Sequence, residues 1–252
     1  PVFKHSNQKE MLYVSSRIVL DGSADDYLGT IAHEFQHMIN FNQKVLVGQN
    51  KQSDDLWIDE GMAMYAIEAN GYGLKAGGEV LSNHVKRFMQ EPEAFSLVDW
   101  DGNPETIGYG PVYLFMVYLA DRFGEAITKE IVTSKKLGKE NLDAILGARG
   151  MSLARQFHDW TLANLLDGKP HAGNGPHEYA SLQMLGRNGA TTLDGFVTER
   201  LDVPGRETFP LRPYTARYFR MPDGVLAPRF TINAGTQRAG QVPRLVLPQD
   251  DF

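Results

Sequence analysis

The sequence predicts an α+β fold that is mostly helical, with one strand ahead of the helices and a small β-rich segment behind them. Three observations predict it. Apolar residues keep the 3.6-residue helical period over most of residues 24–167, a β-branched and aromatic run fills 11–20, and prolines crowd the chain past about residue 187. With 252 residues and 42% hydrophobic content, the chain can bury a sizeable core as one large domain, or as one domain plus a small appendage. The change of composition places a helical unit over 1–186 and a β-rich appendage over 187–252.

The run MLYVSSRIVL at 11–20 reads as a strand, and the DGSADD after it as a turn. Asp25 or Asp26 caps the helix that follows, whose apolar positions Leu28, Ile31, Ala32, Phe35, Met38 and Ile39 run to near Asn42. A polar loop from Val47 to Asp54 leads to a second helix, opened by Asp54 or Asp55 and stopped after Ala69 by Asn70 and Gly71. Further helical patterns lie at about 79–90, 110–123, 125–135, 140–149 and 151–167. Beyond them Pro204, Pro210, Pro213, Pro222, Pro228, Pro243 and Pro248 punctuate the short β-type runs TARYFRM, RFTIN and RLVL.

Charge and composition exclude several classes. The formal net charge is −6, from 25 basic and 31 acidic residues spread along the chain, so no basic stripe tracks a phosphate backbone and nucleic acid is not an expected partner. The longest apolar run, Val112 to Ala120, falls far short of the roughly 20 residues that cross a bilayer, so no membrane segment is expected. The sequence has no cysteine, which rules out disulfides and thiolate ligands and leaves His, Asp and Glu to hold any metal. It opens on Pro1 without an initiator Met or signal-like apolar stretch, and reads as a processed or truncated piece of something longer.

The decisive segment is His33-Glu34-Phe35-Gln36-His37, inside the first predicted helix. Residues four apart share a helix face, so His33 and His37 can both offer imidazole nitrogens to one ion. Glu34 is turned by about 100° from His33, beside such an ion rather than on it, where it can take a proton from water. The bland alternative is two histidines one turn apart with an unrelated Glu. A second motif, Trp57-Ile58-Asp59-Glu60-Gly61-Met62-Ala63-Met64-Tyr65, weighs against that alternative, since a returning helix can bring Glu60 back as third ligand and leave a fourth position open for water. Glu60 could otherwise be a first-turn acid favoured by the helix dipole.

The pairing of HEFQH with WIDEGMAMYA resembles the gluzincin zinc metallopeptidases, and HEFQHMIN preceded by DDYLGTIA is most similar to the hyicolysin-type bacterial neutral metallopeptidases. The similarity covers roughly residues 10–125. It implies a zincin-like catalytic domain, a Zn2+ cofactor on His33, His37 and Glu60, Glu34 as general base, protein or peptide substrates, and secretion by a bacterium. In the same family the segment matching Ile107-Gly108-Tyr109-Gly110-Pro111-Val112-Tyr113 carries a Tyr that hydrogen-bonds the oxyanion, which implies Tyr109, with Tyr113 as second choice. Half-buried tyrosines with wet hydroxyls are an equally weighted reading. No Gly-x-Met-Glu-Asn segment for gripping a free amino terminus precedes His33, which favours cleavage inside chains. The rival functions are a non-catalytic binding module on a peptidase fold, and a zinc aminopeptidase or small-molecule hydrolase. The MLYVSSRIV run is either a substrate-binding edge strand or an ordinary half-buried one.

Lesser candidates carry two readings each. Asp59 either accepts a hydrogen bond from a ligand His or is a helix-start acid; Glu68 either supports a ligand or faces solvent. His84, His158, His171 and His177 lack metal spacing, and the acidic clusters Asp21 to Asp26 and Asp54-Asp55 read as caps rather than calcium loops. Oligomeric state and side-chain preference are not legible.

Overall fold

A computed structural model describes residues 11–14, 24–100, 108–169, 175–202, 205, 209 and 212–222. The fold is α+β and mostly helical. In chain order the helices are α1 Ala24–Phe41, α2 Leu56–Ala69, α3 Glu79–Gln90, α4 Tyr109–Phe123, α5 Ala126–Thr133, α6 Gly138–Gly147 and α7 Leu153–Leu166. Two small sheets follow: an antiparallel hairpin of β1 Leu185–Asn188 and β2 Thr191–Asp194, and a parallel pair of β3 Glu199–Arg200 with β4 Phe219–Arg220.

Helix α4 forms the axis of the core. Every residue from Gly110 to Ala120 is buried, the pattern of a helix that is apolar all round and surrounded by partners. Trp160 of α7 stacks on Phe88 of α3 and meets Phe115 of α4 edge-on. Each such ring contributes roughly 1.5–3 kcal/mol through removal from water. Two glycines let backbones approach closely. A Cβ at Gly61 of α2 would press on Met116 and Val112 of α4 at 3.1–3.3 Å, and one at Gly110 of α4 would lie 2.4 Å from the His84 carbonyl oxygen of α3.

Helix α1 lies on α2, with Gly29 against Ile67 and Tyr72. Here the structure departs from the apolar periodicity. The residues buried on α1 are Gly29 and Asn40, whereas Leu28 and Phe35 of the apolar stripe are 38% and 53% exposed. The rest of the stripe, Ile31, Ala32, Met38 and Ile39, is only partly buried, as are His33 and His37, and Ile39 packs against the core. Helical backbone also runs past the end expected near Asn42: Asn42–Val47 continues α1 as a π-helical turn, held inward by the buried Lys44 and Val45.

The strand expected at 11–20 is not present over Met11 to Val14, where Met11, Tyr13 and Val14 are exposed, and its remainder lies outside the described residues. At the other end TARYFRM contributes β4, where Arg217 holds Glu199 through two bonds of 2.8 and 2.6 Å; RFTIN and RLVL lie outside the described residues. The hairpin starts at Leu185, and Leu193, Phe196 and Tyr218 join the same core cluster as α4. Among the described residues no helix is long and apolar enough to cross a membrane.

Candidate metal centre

The antiparallel packing of α1 on α2 brings together the two motifs that lie 23 residues apart (60 minus 37) in the chain. His33 and His37, one turn apart on α1, stand with ring centroids 4.7 Å apart and planes at 86°. Their Nε2 atoms are 3.1 Å apart. Glu60, in the second turn of α2, places Oε2 at 3.3 Å from His33 Nε2 and 3.5 Å from His37 Nε2. All three side chains are partly buried, and the group could hold a metal ion.

The size and chemistry of this triangle can be compared with what a cation needs. A four-coordinate tetrahedral ion with bonds of about 2.0–2.2 Å sets its donors roughly 3.3–3.6 Å apart. The three edges of 3.1, 3.3 and 3.5 Å fall at or just below that range. Moreover, Glu60 Oε2 is buried, and the two imidazole nitrogens that face it at 3.3 and 3.5 Å make no well-aligned hydrogen bond to it, a costly condition that a cation relieves. The donor set therefore fits a divalent metal.

Asp59 supplies orientation. Its Oδ1 accepts a hydrogen bond from His37 Nδ1 at 3.0 Å and from Asn40 Nδ2 at 2.6 Å. With Nδ1 donating to Asp59, the neutral ring of His37 turns its lone pair at Nε2 toward the triangle. The helix-start reading of Asp59 is thus incomplete, since its carboxylate also grips an imidazole. Asn40 escaped the sequence reading altogether. Its signal was there: a polar residue one turn past His37, at i+3 on the same face.

Electrostatics favour positive charge at this point. Burial works against a charged His37, yet the Asp59 hydrogen bond and the Glu60 carboxylate outweigh it and hold the ring up at about 10. Burial likewise opposes the charge on Glu60, but the two imidazoles hold its carboxyl down at about 2. Carboxylates that retain a proton on His37 so firmly would favour a dication in the proton's place.

Glu34 is exposed on the next position of α1, outside the triangle. Tyr109 opens α4 and is partly buried beside His84 and Trp100, at centroid distances of 4.9 and 5.9 Å. Burial raises its phenol pKa, and the charges of Glu60 and Glu34 raise it further, so both carboxylates lie within electrostatic reach. Tyr113 does something else. It is fully buried and donates its hydroxyl to Glu68 Oε2 at 2.7 Å, and the same oxygen accepts from the Leu74 amide at 3.1 Å. The wet-hydroxyl reading fails for Tyr113, as does the solvent-facing reading of Glu68: the pair braces the turn after α2. Asp54 belongs to a buried ion pair, while Asp55 takes the N-cap position of α2 without a side-chain cap bond.

The fold and site together define a helical α+β protein with a His-His-Glu donor triangle on two antiparallel helices. The chain matches no family model. It is 29% identical over 150 residues to the neutral metalloprotease ShpI of Staphylococcus hyicus, a match that covers 55% of this chain and 33% of that protein. The chain therefore spans about a third of the length of the relative it matches. The similarity is to a metalloprotease, and a metal-binding donor set is what the geometry provides.

Proposed function

We propose that this chain is a zinc-dependent endopeptidase of gluzincin type, with His33, His37 and Glu60 holding the metal, Glu34 as general base and Tyr109 as oxyanion donor. The observation that carries the reading is the donor triangle, with edges of 3.1, 3.3 and 3.5 Å. Two imidazoles and one carboxylate without a thiolate suit zinc in its catalytic form, which keeps a fourth position for water. The metalloprotease similarity supports protein substrates, and the hyicolysin-type resemblance supports bacterial secretion. In this reading 1–186 is the catalytic unit and 187–252 its appendage, applied to the core through Leu193, Phe196 and Tyr218.

When bound, zinc would supply a Lewis acid that polarises the scissile carbonyl and lowers the pKa of water to about 7. The protein does the rest. Glu34, exposed and free of the ligand triangle, takes the proton from the attacking water and delivers it to the leaving amine. Tyr109, whose raised pKa keeps its phenol protonated, donates a hydrogen bond to the charge growing on the carbonyl oxygen. Asp59 keeps His37 in the tautomer that leaves Nε2 unprotonated.

Metal quantification on the purified chain, with casein digestion before chelation, after it and after zinc restoration, tests the reading. One zinc per chain and activity that follows the metal are expected. Glu34→Gln should retain zinc and lose turnover, and a variant that still digests casein refutes the assignment of the base. Mass spectrometry of the products separates internal cleavage from end trimming.

A further inference from the structure

The site's two helices are tied together at a point remote from the metal ligands. Lys44, in the π-helical turn that prolongs α1, is 0% exposed. Its ammonium donates to the carbonyls of Ile131 at 2.7 Å, Lys136 at 2.9 Å and Ser134 at 3.0 Å, and pairs with Asp54 Oδ2 at 3.2 Å. Asp54 directly precedes the N-cap of α2, and its Oδ1 accepts from the amides of Gly138 at 2.6 Å and Asp55 at 2.9 Å. Three carbonyls and a carboxylate around one ammonium form the donor set of a hard cation, filled by the chain's own side chain. The segment between the two residues is pinned by Asn50, which donates to Lys44 O at 2.9 Å and Lys135 O at 3.1 Å, while Lys51, Gln52 and Ser53 are exposed.

We propose that the buried Lys44–Asp54 pair positions Glu60 and Asp59 against the two histidines, by fixing where α2 starts relative to where α1 ends. The inference rests on the metal reading above. Lys44 lies seven residues, about two turns, beyond His37 (44 minus 37), and Asp54 lies six before Glu60 (60 minus 54). Both ends are bound to one stretch, from Ile131 in the last turn of α5 through the connection to Gly138 at the start of α6, which makes no contribution to the donor triangle. The lever is short and stiff. A shift of α2 along α1 carries Glu60 Oε2 away from 3.3 and 3.5 Å and Asp59 Oδ1 away from 3.0 Å together. Hydrophobic contact alone specifies such a register poorly, because the residues that α1 buries fully are Gly29 and Asn40 rather than large apolar ones, whereas a buried ion pair has one satisfactory arrangement. Burial lowers the Lys44 pKa and raises that of Asp54, so the pair bears a desolvation cost that simple stability does not require.

The test measures zinc affinity by competition with a chromophoric chelator on the whole chain, alongside thermal unfolding. The variants are Lys44→Met, which retains the aliphatic stem, and Asp54→Asn, which retains the shape and an oxygen for the Gly138 and Asp55 amides. Leu193→Ala, a core change in β2, serves as a control for lost stability. The inference expects Lys44→Met and Asp54→Asn each to weaken zinc binding at least tenfold, and Leu193→Ala to bind as the parent does at comparable loss of stability. Variants that melt early yet bind zinc as tightly as the parent overturn it, as does a control that loses affinity in proportion to stability. If Lys44→Met does not fold, Asp54→Asn decides alone; if neither folds, the pair is a structural requirement and the inference is overturned. A parent chain that binds no zinc overturns the metal reading itself, an outcome distinct from unchanged variants.

Discussion

Replacing Asp59 by Ala removes the acceptor that His37 and Asn40 share. Hydrogen bonds to a charged group contribute about 1.5–3 kcal/mol, and loss of the carboxylate behind a metal-binding His weakens metal affinity roughly 10–100-fold. At about 1.4 kcal/mol per tenfold, that is roughly 1.4–2.8 kcal/mol of binding. The His37 ring would be released at Nδ1, so the 3.1 and 3.5 Å distances at its Nε2 would no longer be enforced. Asn40, 1% exposed, would be left with a buried amide facing no acceptor, at a cost to the fold of about 1–3 kcal/mol. With roughly 2–4 °C per kcal/mol for a chain of this size, the metal-free Tm should fall by about 2–12 °C. Asp59→Asn, which keeps one oxygen for one of the two donors, should lie between. Chelator competition at fixed pH reads the affinity, and calorimetry of the metal-free chain reads the stability. Zinc affinity within twofold of the parent, with a lowered Tm, would refute the orienting role and return Asp59 to a helix-start acid.

The two tyrosines should separate by readout. Tyr109→Phe should lower kcat by roughly 10²–10³ with little change in Tm, whereas Tyr113→Phe, which removes one of the two donors to the partly buried Glu68 carboxylate, should lower stability by about 1.5–3 kcal/mol and leave kcat per folded molecule near the parent value. Steady-state kinetics and thermal melts on both variants check the pair. Metal affinity should rise with pH: with the metal-free His37 at about 10, a proton must leave for the metal to bind, so apparent affinity should climb about tenfold per pH unit between pH 6.5 and 9 once the zinc's own hydrolysis is accounted for. Metal-free stability has the opposite alkaline trend. The raised His37 pKa contributes stability that is complete below the ordinary value of 6.5 and is lost as pH rises through about 10, while the depressed Glu60 pKa contributes stability present above 4.5 and lost as pH falls through about 2. Denaturant melts of the apo chain should therefore be most favourable for this cluster between about pH 4.5 and 6.5, and a flat profile refutes the coupling. Finally, Gly110→Ala sets a Cβ 2.4 Å from a backbone oxygen and should destabilise by about 1–3 kcal/mol through overpacking, read as a lower Tm.

What the sequence determined by itself was local. The helical period placed α2 to α7 to within a few residues, because each apolar stripe is written at fixed spacing along one segment. The i, i+4 rule put His33 and His37 on one face before any tertiary contact was known, since that relation depends on helix geometry alone. The HEFQH and WIDEG motifs likewise named Glu60 as a candidate ligand. Tertiary structure decided everything that depends on which face meets which. Only packing turned Gly29 and Asn40 of α1 inward and left Leu28 and Phe35 at the surface, because periodicity reports that a stripe exists and not what covers it. Only packing brought Asn40 to Asp59, Tyr113 to Glu68 and Lys44 to Asp54 and the α5–α6 loop. Their partners lie 10 to 92 residues away along the chain, and a polar side chain in one segment carries no mark of the distant group whose burial cost it offsets.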